Sequence, residues 1–345
     1  MTLESTLTSP AESSPESLRK FARSRRRDLL MALLVFGALC FVPLVAGDVY
    51  IMNVAILTIL FAFAAQSWNI LGGYCGQVSL GHGLYFGLGA YTTFVLLTKL
   101  GVSPWIGIPA GGLLSALLAY AISWPFARMK GHYYTIATIV VAEAGLVLIT
   151  NWEFVGGALG IQLPYGPDSW ATLQFGRNKN PYFYVALSLA MSAWLICWFI
   201  EDSRAGYWWR AVTSNPEAAQ SLGVNVLRSK MAASAMSGAL TAVAGGIYGM
   251  FVSYIDPSSV MGFQISLLIA LPSVLGGIGT LWGPALGALI LIPIGEVTRS
   301  YAGGTGSGLN LMIYGVLLMG ISLLRPEGLV SLFKAPRKQA GSARG

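Results

Sequence analysis

Few residues in this sequence have the types and spacing that catalysis requires. A phosphate-binding loop needs a glycine directly before its lysine, and no lysine here follows a glycine. The only two histidines, His82 and His132, are too far apart for a helical HExxH zinc site. The nearest stretch to a Gly-x-Ser-x-Gly elbow, at Gly101 to Ser103, runs into Pro104, so an intramembrane hydrolase has almost no support. We therefore expect no enzyme, no metal and no cofactor.

Polar side chains inside apolar segments are stronger candidates for function. Glu143 follows Thr135 and Thr138 within one apolar segment. A charged group in such a segment is costly and usually faces a bundle interior or a water-filled cavity. Glu143 is therefore either part of a transport pathway or a structural hydrogen-bonding node, and the sequence favours neither interpretation.

Two glycine-rich stretches interrupt the apolar pattern. The first, from Gly73 to Gly83, contains Gln77, Ser79 and His82. It predicts a broken helix, which is tolerated at membrane depth where it is buried in protein or lines a cavity. His82 by itself is more often a structural histidine. A second stretch at 276–284 echoes the first, as in transporters with repeated broken helices, although ordinary close helix packing explains it equally well. The candidate pathway residues are Gln77, Ser79, His82, Glu143, Gly276 and Gly277.

The composition indicates the environment in which these residues act. Hydrophobic residues make up 55% of the 345 positions and charged residues only 10%, whereas a soluble domain carries about 25% charged residues. The mean hydropathy is +0.65. A surface so poor in charge predicts an integral membrane protein, and the long apolar runs predict helices. The expected fold class is all-α, a polytopic bundle with about ten transmembrane helices.

A transmembrane helix needs roughly 20 apolar residues, and ten candidate segments can be placed along the chain. They are 29–46, 51–71, 83–98, 105–127, 133–150, 182–200, 231–253, 264–280, 282–298 and 309–324. Glycines interrupt the third and the ninth. Either of these two segments is therefore a full span or a re-entrant half-helix.

The basic residues predict how the chain is oriented. If the spans alternate, all but four of the 21 lysines and arginines lie on the side of the N-terminus. The exceptions are Lys99, Arg177, Lys179 and Arg299. Because cytoplasmic loops are enriched in basic residues, both termini are predicted to be cytoplasmic. The expected domains are a disordered basic N-terminal tail at 1–28, a transmembrane domain at 29–324 and a cytoplasmic C-terminal tail at 325–345.

The segment 203–230 is the longest polar connection that this orientation places in the cytoplasm. Ser214 and Glu217 match the S-x-x-E capping box, Ala218 and Ala219 favour helix, and Gly223 stands where a left-handed C-terminal cap is expected. The pattern predicts a helix of about two turns, roughly 11–12 Å long. It either merely joins two spans or forms a contact site for another protein.

Five motifs occur in one order between residues 50 and 332. They are GYCGQVSLGHGLYFGLGAY from Gly73, YYTIATIVVAE from Tyr133, NWEFVGGALGI from Asn151, LGGIGTLWGPALGA from Leu275 and LLRPEGLV from Leu323. Together with the Glu-Ala-Ala-x-x-x-Gly string at 217–223, they resemble the branched-chain amino acid permease family of ABC importers, in its LivM-type branch. The family usually carries more charged residues before the Glu-Ala-Ala, where this chain has residues 213–216, Thr-Ser-Asn-Pro.

The resemblance implies a pore-forming subunit in the bacterial inner membrane. It implies four kinds of partner, namely membrane lipid, a second permease that is paralogous or identical, two ABC ATPase subunits and an extracytoplasmic substrate-binding protein. It also implies that the loop at 203–230 docks on an ATPase, with Ser214, Glu217, Ala218, Ala219 and Gly223 as the coupling residues. Urea or amides are alternative substrates, and a stand-alone secondary transporter is the rival class. Such a transporter needs intramembrane ionisable groups, for which only Glu143 and His82 are available.

Overall fold

The computed structural model describes residues 15–45, 47–129, 131–164, 166–176, 178–301, 307–324 and 328–333. The described residues up to Gly47 form one compact unit, and those from Asp48 onward form another. The first unit contains α1 (Pro15–Leu39) and α2 (Val42–Val45). The prediction of a disordered tail is wrong for 15–28, because α1 already begins at Pro15 and its first turns are rich in Leu, Arg and Lys, which favour helix. Residues 1–14 lie outside the described residues.

The second unit is a bundle of helices. They are α3 (Val49–Asn69), continued by a π-helical turn (Ile70–Tyr74), α4 (His82–Leu100), α5 (Pro104–Phe126), α6 (His132–Thr150), α7 (Asn180–Asp202), α8 (Arg204–Ser214), α9 (Pro216–Ser221), α10 (Val226–Val252), α11 (Pro257–Met261), α12 (Phe263–Gly276), α13 (Gly283–Tyr301) and α14 (Ser307–Leu324). Short 3-10 helices lie at Glu153–Val155, Gly157–Leu159 and Leu329–Phe333. β1 (Ile161–Gln162) and β2 (Tyr254–Ile255) form a small antiparallel pair.

Helix occupies all ten predicted span positions. Within the described residues, seven helical segments are long and apolar enough to cross a membrane, compared with the predicted number of about ten. α4, α13 and α14 are not among the seven. α4 and α13, the predicted third and ninth spans, are continuous helices of 19 residues. Each is about 28 Å long, close to the roughly 30 Å of a hydrocarbon core. The glycine breaks therefore precede these helices and do not divide them.

α10 lies at the centre of the bundle, packed against α3, α4 and α5. Glycines allow this packing. A Cβ added at Gly89 of α4 would lie 1.9 Å from the carbonyl oxygen of Ala242, and one at Gly245 of α10 would lie 1.8 Å from that of Phe86. No side chain fits at either position. The two backbones approach each other as small residues permit in membrane bundles.

The connections of the second unit sort onto two opposite ends of the bundle. One end, the α8 face, carries α8 and α9, and here the Lys230 ammonium donates to the Ala127 carbonyl at the end of α5 (3.1 Å). The other end, the β face, carries the β1–β2 pair, where Ile161 pairs with Ile255. Trp105 also donates there to the Trp170 carbonyl (2.7 Å). Successive long helices therefore run in alternating directions, as predicted.

Part of the predicted C-terminal tail packs on the bundle. A Cβ added at Gly328 would lie 2.6 Å from the backbone of Gly277, and residues Leu329–Phe333 form a 3-10 helix. Residues 328–333 of the predicted tail are therefore ordered against the second unit. Residues 325–327 and 334–345 lie outside the described residues.

Candidate functional site

The first glycine-rich stretch leaves helix and turns back along α3. The π-helical turn ends at Tyr74. Beyond it, the backbone amide of Gln77 donates to the Leu71 carbonyl (3.0 Å). The Trp68 indole then donates to the Ser79 carbonyl (2.6 Å). Later residues of the segment thus contact earlier residues, first in the π-helical turn and then in α3. The predicted break is confirmed, and residues 75–81 form an irregular segment between α3 and α4.

His82 joins three elements by hydrogen bonds and is completely buried. The Ser237 hydroxyl donates to the Ser67 carbonyl (2.7 Å), so its oxygen accepts from His82 Nε2 (2.8 Å). His82 Nδ1 then accepts from the Ser79 hydroxyl (3.1 Å). This geometry assigns the neutral tautomer with its proton on Nε2. His82 therefore has the contacts of a structural histidine that holds α4, α10 and the broken segment together.

The broken segment has one buried side and one exposed side. Gln77 and Ser79 are buried, whereas Gly76 and Val78 are exposed. The side-chain Oε1 of Gln77 has no hydrogen-bond partner within the described part of the chain. α6 holds the segment from outside, because the Thr135 hydroxyl donates to the Val78 carbonyl (2.8 Å). Of the residues predicted here, Gln77, Ser79 and His82 form an inner wall, and Val78 faces outward from it.

Glu143 lies on the same stripe of α6 as Thr135 and Ile139, and all three are half-buried. It makes no hydrogen bond or ion pair with any residue that the structure describes. A cavity of about 740 Å³ between α4, α5 and α6 is lined by apolar residues that include Val141 and Leu148. At 100° per residue, Glu143 lies about 200° from Val141 around the helix. Glu143 is not among the residues that line this cavity.

The two glycine breaks, predicted separately, are adjacent in the structure. The side-chain amide of Asn69, at the end of α3, donates to the Thr280 carbonyl (3.0 Å) and accepts from the Gly279 amide (2.8 Å). A Cβ at Gly73 would lie 2.6 Å from the nitrogen of Gly279. α12 ends at Gly276, and a Cβ added there would lie 1.7 Å from the carbonyl oxygen of Gly283. Both Gly276 and Gly277 are buried.

The predicted short helix in 203–230 exists as α9, with two corrections at its start. Asn215, not Ser214, caps it, because the Asn215 side chain accepts from the amides of Glu217 (3.0 Å) and Ala218 (3.1 Å). Ser214 is instead the last residue of α8, and its hydroxyl donates to the Arg210 carbonyl. With six residues, α9 is about 9 Å long, which is shorter than predicted.

The end of α9 is as predicted. Gly223 has φ +87°, and a Cβ there would meet nothing within 4 Å. Its amide donates to the Gln220 carbonyl and the Val224 amide donates to the Ala219 carbonyl, both at 3.0 Å. These two bonds are the Schellman pattern of a helix C-terminus.

The coupling residues differ in accessibility. Glu217, Ala218 and Gly223 are exposed, as is Ser214. Ala219 is only 2% exposed, so its side chain packs against the protein and offers no docking surface. The most exposed apolar side chain of the loop is Leu222 at 85%.

α8 was not predicted from the sequence. Its buried face consists of Gly206, Trp209 and Val212, which are spaced every three residues. The Trp209 indole donates to the Ser229 carbonyl (3.0 Å), and the Thr213 hydroxyl lies 2.9 Å from the Tyr74 carbonyl. The spacing of the buried residues was visible in the sequence, but Gly206 argues against helix.

Comparison with known proteins gives a consistent family. The family model described as "Branched-chain amino acid transport system / permease component" matches residues 50–322. LivM of Salmonella typhimurium, a high-affinity branched-chain amino acid transport system permease protein, is 26% identical, over 93% of this chain and 79% of that protein. LivH of Escherichia coli, another permease protein of such a system, is 26% identical over 77% of this chain and 92% of that protein.

A probable LivM of Methanocaldococcus jannaschii is 25% identical over 72% of this chain and 78% of its own length. No solved structure matches the chain. The family match spans the bundle from α3 to α14, including both glycine breaks and the α8–α9 loop. This multi-pass membrane protein therefore belongs to the branched-chain amino acid transport permease family of ABC transporters.

Proposed function

We propose that this chain is one of the two membrane subunits of an ABC importer for branched-chain or related small amino acids in the bacterial inner membrane. Two separate ATPase subunits supply the energy, and an extracytoplasmic binding protein delivers the substrate. Support comes from the names of the relatives, which are permease proteins of high-affinity branched-chain amino acid transport. Because the chain is similar to both LivM and LivH, a LivH-like paralogue is the second permease that we propose.

The observation that carries this proposal is the geometry of α9. A helix that transmits force between subunits must be rigid and accessible. α9 has a side-chain cap at Asn215 and a left-handed cap at Gly223. Leu222, between the helix and Gly223, exposes 85% of its surface. An exposed apolar side chain at the end of a rigid helix fits an apolar groove on a partner.

The charges support placing the α8 face in the cytoplasm. Arg128, Arg204, Arg210 and Arg228 lie on the connections of that face, and basic residues favour the cytoplasmic side. Both termini are then cytoplasmic. This orientation presents α9 to the compartment in which ATP is available.

The transport pathway is proposed to run along the stripe formed by Val78, Thr135 and Glu143. In a pore made by two permeases, the lining residues are accessible in the single chain, as these three are. Glu143 has no partner within the described residues and is free to meet substrate or the second subunit. The buried residues Gln77, Ser79, His82, Gly276 and Gly277 are the wall that supports this surface.

The test is binding of the purified permease pair to its ATPase after Leu222→Glu. A buried interface anchor contributes about 2 kcal/mol or more, so the dissociation constant should rise about thirtyfold or more. Leu159→Glu is the matched control, because Leu159 is also 85% exposed but lies on the β face. If both variants bind the ATPase like the wild type, α9 is not the docking element.

A further inference from the structure

The contact between α8 and the π-helical turn joins two parts of the proposed machinery. A helix leaves its last carbonyl groups without intrahelical partners, and Tyr74 is the last residue of the turn that continues α3. The Thr213 hydroxyl lies 2.9 Å from the Tyr74 carbonyl and 3.0 Å from the Trp209 carbonyl of its own helix. The one hydroxyl proton is shared between these two carbonyl oxygens, so a side chain from a distant segment contacts the end of the turn.

The Thr213 side chain also packs against the backbone of Gly76. A Cβ at Gly76 would lie 2.9 Å from the Thr213 Cγ2 and 3.0 Å from its Oγ1. Gly76 also has φ +67°, a left-handed conformation that favours glycine. The methyl and the hydroxyl of Thr213 thus fit between the carbonyl of Tyr74 and the backbone of Gly76.

The position of this contact in the chain suggests its role. Thr213 is two residues before Asn215, the cap of α9, and Gly76 is two residues before Val78 on the proposed pathway face. The second connection of α9, through Val224, leads into α10, which is packed in the centre of the bundle. Residues 75–81 form no regular helix, and hydrogen bonds to Trp68, Thr135 and His82 connect them to three helices.

We propose that Thr213 is the positioning residue that passes movement of α9 to the broken segment, and through it to the pathway. This inference rests on the proposed function, in which an ATPase moves α9. The Thr213 hydroxyl pulls on the Tyr74 carbonyl, and its methyl pushes on Gly76. The movement reaches the pathway at Val78, which is the first exposed residue after Gly76.

The first test compares Thr213→Val with Thr213→Ser in the full transporter in vesicles. Valine keeps the shape but loses the donor, whereas serine keeps the donor. Thr98→Val is the control, because the Thr98 hydroxyl bonds only a carbonyl of its own helix, Phe94 at 2.7 Å. We expect Thr213→Val to lower substrate uptake per ATP hydrolysed at least about fivefold, as loss of the donor leaves a carbonyl unsatisfied. Thr213→Ser should recover most of this loss, and Thr98→Val should be silent.

Assembly of the complex and its thermal stability are measured on the same samples. A wild-type uptake ratio in Thr213→Val overturns the proposal. Loss of folded complex in this variant also overturns it, because the contact then supports the fold and does not pass movement. If wild-type vesicles show no ATP-coupled uptake at all, the proposed function itself fails, which is a distinguishable result.

A second pair of variants tests the other side of Thr213. Gly76→Ala should reduce the uptake ratio, and combining it with Thr213→Ser should restore part of it, because serine removes the Cγ2 methyl that the new Cβ would meet at 2.9 Å. Additive losses in the double variant would show that the two residues act independently and would overturn the proposed joint.

Discussion

His82 and Glu143 are ionisable side chains of α4 and α6 that have different surroundings. His82 is fully buried and uses both ring nitrogens, one on Ser79 and one on Ser237. Glu143 is half-buried on a stripe of α6 and bonds to none of the described residues. A hydrogen-bonding node needs partners, so we propose a pathway role for Glu143 and not for His82.

Replacement of Glu143 by glutamine therefore isolates its charge. We expect Glu143→Gln to lower uptake about tenfold, equivalent to about 1.4 kcal/mol, with a normal yield of folded complex. His82→Ala should do the reverse and reduce folded protein, since the buried Ser79 hydroxyl loses its acceptor at a cost of about 1–3 kcal/mol. Uptake assays and size-exclusion profiles of the two variants separate these outcomes. Normal uptake in Glu143→Gln would remove it from the pathway.

At this scale the sequence identified the residues but not their partners. Ser237 is 155 residues from His82, and nothing in a local pattern indicates such a distance. Thr213 was also outside the predicted coupling set, because its proposed positioning role depends on a contact with Tyr74, 139 residues away.

α8 and α9 show how far local patterns reach at the scale of elements. The caps of α9 are short-range signals, so the predicted start was wrong by one residue and the left-handed end at Gly223 was confirmed. α8 was missed because glycine at 206 disfavours helix. A Cβ at Gly206 would lie 1.9 Å from the Ile200 carbonyl, so this glycine is needed where α8 folds against the end of α7.

A substitution at the end of α9 tests whether its rigidity matters. Gly223→Val costs roughly 1 kcal/mol or more in backbone energy, without a steric clash. We expect weaker ATPase binding and less uptake per ATP hydrolysed in an otherwise folded protein. Gly101→Val is the matched control, because Gly101 is left-handed (φ +64°), equally uncrowded and at the end of α4 away from the α8 face. Equal effects of the two variants would show that only general destabilisation is measured.

At the scale of the whole molecule, periodicity and charge predicted most of the architecture. All ten predicted segments are helical, and the connections within the second unit alternate between two faces. The adjacency of the two glycine breaks was not predictable, because it depends on Asn69 contacting Thr280, 211 residues later. Alternation constrains which loops share a face but not which helices are neighbours.

The central claim is that this permease is driven by ATP hydrolysis on partner subunits. The most direct measurement is amino acid uptake into vesicles that contain the permease pair, the ATPase and the binding protein, with ionophores that abolish all ion gradients. The account predicts uptake that requires hydrolysable ATP on the ATPase side and is unchanged by the ionophores. Uptake that persists without the ATPase and stops when the ion gradients collapse would contradict the account and identify a secondary transporter.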